Sequence, residues 1–253
     1  MLAALFAALL LLVAPVPGAA QGKVYTKKAK LSDFPVSTTK VVLSSQSLLE
    51  LTLHDEVISR WRVSPYEFCT VEDYQREKED ASFYFLRFVS EDGVFFLSLS
   101  RGGNQKAPSM LDRPFDVVRV PAGSVDAMSG QEISFLGAYV DIVQDFVEQA
   151  MVSDRVGYGG IAALQRSISG KTVFLIPSEA QNALSEGTPD GLAAVVVAPS
   201  SFSGAQTIYK MLITTDTHEL CLYREEKCRN AQDAVFSERD EAYICSHNAT
   251  VVR

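Results

Sequence analysis

The stretch SFYFLRFVSEDGVFFLSLS (residues 82–100) is the strongest structural signal in the sequence. Two runs rich in aromatic and aliphatic residues flank SEDG, a polar segment that ends in Gly93. Runs of this kind on either side of a short turn with a glycine are typical of a β-hairpin. The sequence therefore predicts two strands joined by a tight turn at this place.

A second hairpin and two helices accompany the first. The segment TIYKMLITTDTHELCLYREE (207–226) has the pattern of two strands that turn at residues 215–217. Apolar residues recur every three or four positions at 46–61 and at 133–152, which predicts two amphipathic helices. Long hairpins packed by two main helices favour an α+β fold with antiparallel or mixed sheets.

Shorter elements complete the pattern. Additional strands are predicted at 39–45, 64–74, 115–123, 171–177 and 192–199, a charged loop at 76–80, a helix or loop at 178–191, and a charged helix at 231–243. The order of elements is similar in the two halves of the chain, about 24–125 and 126–253. Residues 21–253 are therefore expected to form either a single domain or two similar lobes.

The N-terminal segment MLAALFAALLLLVAPVPGAAQG (1–22) predicts export. Its apolar run is shorter than the about 20 residues that a membrane-spanning helix needs. Prolines and then small residues follow the run, as in a cleaved signal peptide. We expect a signal peptide over residues 1–20, cleavage after Ala20, and a secreted or periplasmic protein. A membrane anchor remains the alternative, because the usual basic residues do not precede the run.

The charge of the chain argues against one class of partner. The formal net charge is −8, and the first charged residue is Lys23. A mild acidity of this kind favours solubility, whereas nucleic-acid binding needs a concentrated basic surface. We therefore expect no nucleic-acid partner, and no segment after residue 22 is long and apolar enough to predict a membrane span.

Several short stretches carry a resemblance to a known family. They are KVYTKK (23–28), TTKVVL (38–43), SPYEFCT (64–70), QDFV (144–147), YKMLI (209–213) and THEL (217–220). In these stretches the chain resembles an uncharacterised family of secreted or periplasmic proteins from Gram-negative anaerobic bacteria. The resemblance covers most of the mature chain and implies a location in the cell envelope. No activity is known for that family, so the resemblance assigns no functional residue.

Two motifs look chemical but lack essential residues. SGKT (169–172) resembles the end of a phosphate-binding loop, yet Gln165 stands where that loop needs a glycine. HELCL (218–222) begins like a zinc-protease helix, yet Leu222 replaces the second histidine. The sequence therefore predicts neither a nucleotide cofactor nor a catalytic zinc, and we expect no cofactor.

Two histidines lie near carboxylates and are the candidate catalytic residues. Glu50 and His54 are four positions apart on the apolar side of the predicted helix, and His218 lies close to Asp216 and Glu219. A carboxylate beside an imidazole fixes its tautomer and raises its basicity, which suits a general base. The alternative for each pair is a purely structural contact.

The C-terminal tail concentrates the cysteines. Cys221, Cys228, Cys245 and His247 could together bind zinc, but six residues between the first two cysteines fit a structural zinc site poorly. An exported protein meets an oxidising environment in which thiols pair. Our preferred prediction is a Cys228–Cys245 disulfide, with free thiols and zinc as alternatives, and Cys69 as a buried thiol.

These observations lead to a functional hypothesis. The sequence contains no complete catalytic constellation, so we expect an exported, non-enzymatic binding or interaction module of the cell envelope, whose partner could be another envelope protein. A hydrolase that uses His54 with Glu50, or His218, is the alternative. A thiol or zinc protein built on the tail is the third hypothesis.

Overall fold

The computed structural model describes residues 26–44, 47–126 and 129–253. It contains α-helices packed on two mixed five-stranded sheets, so the predicted α+β class is confirmed. The predicted signal peptide and its cleavage site lie outside the described residues. Within the described residues, every helix is too short or too polar to cross a bilayer.

The first half of the chain forms sheet A. Its elements are α1 (Lys27–Lys30), β1 (Thr38–Leu43), α2 (Leu48–Arg60), β2 (Tyr66–Thr70), α3 (Val71–Glu77), β3 (Phe83–Glu91), β4 (Val94–Arg101) and β5 (Phe115–Ser124). The strand order is β2-β1-β3-β4-β5. Strand β1 is parallel to both of its neighbours, and the remaining pairs are antiparallel. The predicted hairpin is β3–β4.

The second half begins with helices and forms sheet B. Its elements are α4 (Gln131–Ser134), α5 (Leu136–Val152), α6 (Asp154–Gly159), β6 (Thr172–Phe174), α7 (Pro177–Glu186), β7 (Gly191–Val197), β8 (Gln206–Thr214), β9 (Leu220–Cys228), α8 (Glu238–Ser246) and β10 (Thr250–Val252). The strand order is β10-β6-β7-β8-β9. As in sheet A, the second strand has two parallel neighbours and the later pairs are antiparallel. The second predicted hairpin is β8–β9.

The helix α3 corrects the prediction of one strand over 64–74 and a loop after it. The strand stops at Thr70 because a capping box starts a helix there. The hydroxyl of Thr70 accepts a hydrogen bond from the backbone N–H of Asp73 at 3.2 Å, and the carboxylate of Asp73 accepts one from the N–H of Thr70 at 3.1 Å. The helix that starts at this capping box, α3, lies on the outer face of sheet A, opposite the main core.

The predicted C-terminal helix over 231–243 is also displaced. A second capping box, between Ser237 and Asp240, starts α8 at Glu238, and the helix continues to Ser246. The chain then adds β10 as a short edge strand beside β6, which the sequence pattern did not predict. Helix α8 covers the outer face of sheet B.

Helix α5 lies at the centre of the molecule. The predicted apolar stripe is confirmed, because all of its members are buried: Phe135, Tyr139, Ile142, Val143, Phe146, Val147 and Ala150. The helix packs against α2, β4 and β5, and core residues of sheet B, including Val195 and Met211, belong to the same hydrophobic cluster. The two sheets therefore share one core, and α5 carries Asp141 to the surface between them.

Candidate functional site

The structure gives Glu50 and His54 local contacts. Glu50 is buried in the first turn of α2, where its carboxylate accepts hydrogen bonds from the backbone N–H and the hydroxyl of Ser44. The Nδ1 atom of His54 lies 3.0 Å from Asp55 Oδ1, and its ring packs against that of Phe68 at a tilt of 31°, with centroids 4.3 Å apart. These contacts tie α2 to β1 and β2, and neither side chain lines the two cavities described below.

His218 lies in the turn between β8 and β9. Its φ of +58° is in the left-handed region, which a non-glycine residue rarely adopts. The backbone N–H of His218 donates to the carbonyl of Thr214 at 3.2 Å, and the hydroxyl of Thr214 accepts from the N–H of Glu219 at 2.7 Å. Asp216 is exposed and contacts the N–H of Thr217 instead of the imidazole. The turn therefore directs His218 back toward the body of the protein.

The carboxylate that meets His218 comes from the central helix. Asp141 Oδ2 lies 2.7 Å from His218 Nδ1, and both side chains are about 15% exposed. Arg60, at the end of α2, also donates from Nη1 to Asp141 Oδ2 at 3.0 Å. Residues 77 positions apart thus form the imidazole–carboxylate pair that the sequence analysis had sought among near neighbours.

These side chains line an open cavity of about 580 Å³, which we call the His218 cleft. It is lined by Ser59–Arg62, Asp141, Asp145, Glu148 and Thr217–Glu219. Asp141 holds the proton of a neutral imidazole on Nδ1, which leaves the Nε2 lone pair as a base. The hydroxyls of Ser59 and Thr217 are bonded to the carbonyl of Glu56 and to Thr214, respectively. Water is therefore the nucleophile that this arrangement could activate.

The predicted Cys228–Cys245 disulfide is not formed, because all four cysteines are free. Asp240 near the start of α8 contacts Arg224 of β9, and Ile244 near its end packs in one cluster with Cys221. Helix α8 thus runs opposite to β9 and carries Cys245 away from Cys228. The thiol of Cys228 donates to the carbonyl of Asn230 at 2.9 Å.

Two further thiols, those of the buried Cys221 and the half-buried Cys69, lack a reactive environment. Burial raises the pKa of Cys221 and of Cys69 to about 11, so both are protonated at neutral pH. In the part of the chain that the structure describes, no three His, Cys, Asp or Glu side chains are grouped so that they could hold a metal ion. The zinc alternative for Cys221, Cys228, Cys245 and His247 therefore has no geometric support.

A second cavity, on the outer face of sheet A, was missed by the sequence analysis. It has a volume of about 590 Å³, and we call it the Arg87 pocket. It is lined by Tyr74, Lys78, Glu79, Phe85, Arg87, Ser100–Lys106 and Pro114–Asp116. Phe85 and Arg87 alternate along β3 with the core residue Leu86, so they point to the face opposite the main core.

A pair of glycines shapes one wall of the pocket. A Cβ on Gly102 would lie 2.2 Å from the carbonyl oxygen of Asp80 and 2.9 Å from the ring of Phe85. Gly103 has a φ of +149°, and a Cβ there would lie 2.5 Å from the carbonyl oxygen of Asp112. Only glycine allows the loop after β4 to pass this close to its neighbours. The loop thereby closes the cavity beside Phe85.

The guanidinium of Arg87 has an unusual environment. It lies 4.8 Å from the centre of the Tyr74 ring, a cation–π contact. Its Nε atom is buried, and no acceptor in the described residues hydrogen-bonds to it. The two Nη atoms also have no acceptor there, but they are not sealed from solvent as Nε is. Arg87 therefore presents a positive charge to the pocket without a carboxylate to balance it.

The other charges of the pocket are mainly positive. Arg101 is already bonded to Asp33 and to two backbone carbonyls through all three of its guanidinium nitrogens. Lys78 and Lys106 form no ion pair within the described residues, and Glu79 is the one unpaired acid in the lining. The cavity is thus a cationic site on a chain whose formal net charge is −8.

Two signals in the sequence could have indicated this pocket. Arg87 is the single charged residue in the run FYFLRFV (83–89), where it takes an outward position of the strand. The pair Gly102–Gly103 follows directly on the next strand and precedes Lys106. Whether such a charge is paired depends on long-range contacts, which only the tertiary structure gives.

Comparisons with known proteins assign no family to the chain. No protein-family model matches it, and neither a curated protein nor a solved structure is significantly similar to it.

Proposed function

We propose that this protein is an exported, non-enzymatic binding module of the cell envelope that takes a small anionic ligand in the Arg87 pocket. The observation that carries this proposal is the Arg87 guanidinium, which lines a cavity of about 590 Å³ and has no anionic partner in the described chain. The N-terminal leader pattern and the resemblance to secreted proteins support the export.

The energetics of Arg87 favour a ligand. The buried Nε of Arg87 has no acceptor, which costs about 1–3 kcal/mol that a ligand at the Nη atoms does not recover. An anion at the open Nη atoms instead gains charge-assisted hydrogen bonds and balances the charge of the guanidinium. The cavity also has the size of a small-molecule site, since such sites span about 300–1,000 Å³. Its lining combines aromatic rings with a few charged groups, as ligand sites commonly do.

The first prediction concerns Arg87→Gln. The native protein is purified from the envelope fraction, where N-terminal sequencing is expected to begin at Gln21. Acetate, phosphate and benzoate are each titrated, and the backbone amide shifts of Ser100, Gly102 and Phe115 are followed by NMR. At least one anion should give saturable shifts, and Arg87→Gln should weaken its binding about 10- to 100-fold, because a hydrogen bond to a charged group is lost.

Arg229→Gln is the matched control, since Arg229 is exposed after β9 and outside the pocket. It removes the same charge and should leave the affinity unchanged. Equal weakening by both variants, or no saturable shift with any of the three anions, would reject the Arg87 pocket as a binding site. A native N-terminus at Met1 would reject export.

A hydrolase that uses the His218 cleft is the second candidate function. The contact of 2.7 Å between His218 and Asp141 favours it, because this pair can activate water. The carboxylate of Glu219 also lines the cleft, and its Oε1 atom lies 3.6 Å from Nε of Arg166.

Under this alternative, His218→Gln should lower hydrolysis of small ester or amide substrates about 100-fold or more, because the general base is lost. The measurement is the initial rate over a substrate panel, with His54→Gln as the control that should keep full activity. If the native protein and His218→Gln hydrolyse every substrate at the same rate, the His218 cleft is not a hydrolytic site.

A further inference from the structure

We propose that the ligand of the Arg87 pocket is an aromatic carboxylic acid. This inference rests on the proposed function of the pocket and narrows the ligand from any small anion to one chemical class. It follows from three features of the pocket. They are the geometry of the unpaired Arg87 guanidinium, the hydrogen bonds that the backbone N–H groups already make, and the aromatic side chains of the walls.

The free cation suits a carboxylate. Arg87 is held by its contact with Tyr74 and by the burial of Nε, so the guanidinium has a fixed plane and its Nη atoms are open to the pocket. A planar guanidinium matches a carboxylate through two parallel hydrogen bonds. Arg101 cannot serve as a second anchor, because Asp33 and the carbonyls of Lys30 and Ala81 already occupy it.

The backbone of the pocket does not suit a phosphate. Phosphate sites usually surround the anion with several free backbone N–H groups. Here four of the five N–H groups from Gly102 to Lys106 already donate to protein acceptors. These bonds are Gly102 to Phe83 O at 2.9 Å, Gly103 to Lys78 O at 3.0 Å, Asn104 to Asp112 O at 3.0 Å, and Lys106 to Asn104 Oδ1 at 2.8 Å. The loop therefore has the glycine content of a phosphate-binding loop, but most of its N–H groups are not free to bind a phosphate.

The walls of the pocket favour an aromatic body. Tyr74 and Phe85 line the cavity together with Pro114, whereas the side chain of Phe115 lies on the core face of the sheet with its strand partner Arg101. The rings of Tyr74 and Phe85 meet edge to face, with centroids 5.0 Å apart. A ligand ring that extends from a carboxylate on Arg87 can join this arrangement, because aromatic rings pack well in offset or edge-to-face contacts.

The two neighbouring lysines attract an anion without offering a competing anchor, and the acid Glu79 in the same lining offsets part of this attraction. Lys78 donates to the side chain of Gln75 at 2.6 Å, and Lys106 is exposed. Both lysines raise the local concentration of anions through their field, which is screened by salt. Most of the selectivity is therefore assigned to Arg87 for the carboxylate and to the aromatic walls for the ring.

The test compares the affinities of 2-naphthoate, benzoate, acetate and inorganic phosphate for the intact protein, measured by calorimetry at constant ionic strength. The two aromatic carboxylates should bind about tenfold or more tightly than acetate and phosphate. Only they can contact both the paired N–H donors of Arg87 and the aromatic wall of the pocket. Arg87→Lys keeps the positive charge but removes the planar pair of N–H donors, so it should weaken the binding of naphthoate about tenfold. Tyr74→Leu removes both the ring wall and the contact that holds Arg87, so it should weaken naphthoate several-fold more than it weakens acetate.

The outcomes separate this inference from the proposed function. If acetate or phosphate binds as tightly as naphthoate, and Arg87→Gln abolishes that binding, the ligand class is wrong and the anion site stands. If Arg87→Lys binds naphthoate as tightly as the native protein does, the two parallel hydrogen bonds between Arg87 and the carboxylate are rejected. If none of the four anions binds, or if Arg87→Gln changes none of the affinities, both proposals are overturned.

Discussion

Asp240→Ala is expected to lower the free energy of unfolding by about 3 kcal/mol, because it removes the main partner of a buried lysine. The side chains of Asp240 and Lys210 are 3% and 2% exposed, and Lys210 Nζ lies 2.7 Å from Asp240 Oδ2. Glu226 also pairs with Lys210 at 2.7 Å and remains in the variant, so the loss lies at the low end for a broken buried pair.

The same substitution removes two further contacts of the carboxylate. Arg224 donates to Asp240 Oδ1 at 2.7 Å, and Asp240 is the acid of the capping box with Ser237 that starts α8. Denaturant unfolding of the native protein and the variant measures the difference. Glu238→Ala, which removes an exposed acid from the same helical turn, should cost less than about 1 kcal/mol. Equal stabilities of Asp240→Ala and the native protein would contradict the role of this ion pair.

The pH dependence of Asp240→Asn should have a defined sign. Burial raises the pKa of Asp240, but hydrogen bonds from Lys210 and Ser237 outweigh it and hold the pKa below its usual value. A depressed pKa in the folded state gives stability that is present above the unfolded pKa and is lost as the pH falls through the folded pKa. The stability difference between the native protein and Asp240→Asn should therefore be constant near neutral pH and shrink below about pH 4.

Phe146→Ala should lower the free energy of unfolding by about 3–5 kcal/mol, because it opens a cavity in the core that the two sheets share. Phe146 is fully buried near the middle of α5. Thermal and denaturant unfolding should show one transition that moves as a whole. Val152→Ala, at the exposed end of the same helix, should change stability by less than about 0.5 kcal/mol.

The outcome of Phe146→Ala also tests the shared core. If the variant unfolded in two separate transitions, with sheet B unaffected, the two sheets would have independent cores. A loss of less than about 1 kcal/mol would show that the centre of α5 is not closely packed.

The elements that the sequence predicted well are those whose signal is local and periodic. The aromatic-rich runs around the turn in 82–100 and the helical spacing in 133–152 are both short-range signals, and the structure has β3–β4 and α5 at these places. Helix α3 was missed because the segment SPYEFCTVEDY (64–74) was predicted as one strand that continues through Thr70. The Thr70–Asp73 capping box is also a local signal, and it indicates that a helix starts there.

The candidate site was harder to predict because its contacts are long-range. His218 was identified as a candidate, but its partner Asp141 lies on another element and no spacing rule connects them. No spacing rule identifies Arg87 either, because its proposed role in anion binding depends on the absence of an acceptor for its guanidinium among the described residues. The prediction of a Cys228–Cys245 bridge placed a helix over 231–243 between the two cysteines, whereas α8 begins at Glu238 and runs back along β9 with Cys245 inside it.

The most direct test of the proposed anion site is a crystal structure of the protein with 2-naphthoate. The account predicts the carboxylate about 2.7–3.0 Å from the Nη atoms of Arg87, with the ring system against Tyr74. Naphthoate bound elsewhere while the Arg87 pocket stays free of it, or a carboxylate of the protein itself paired with Arg87, would contradict the account.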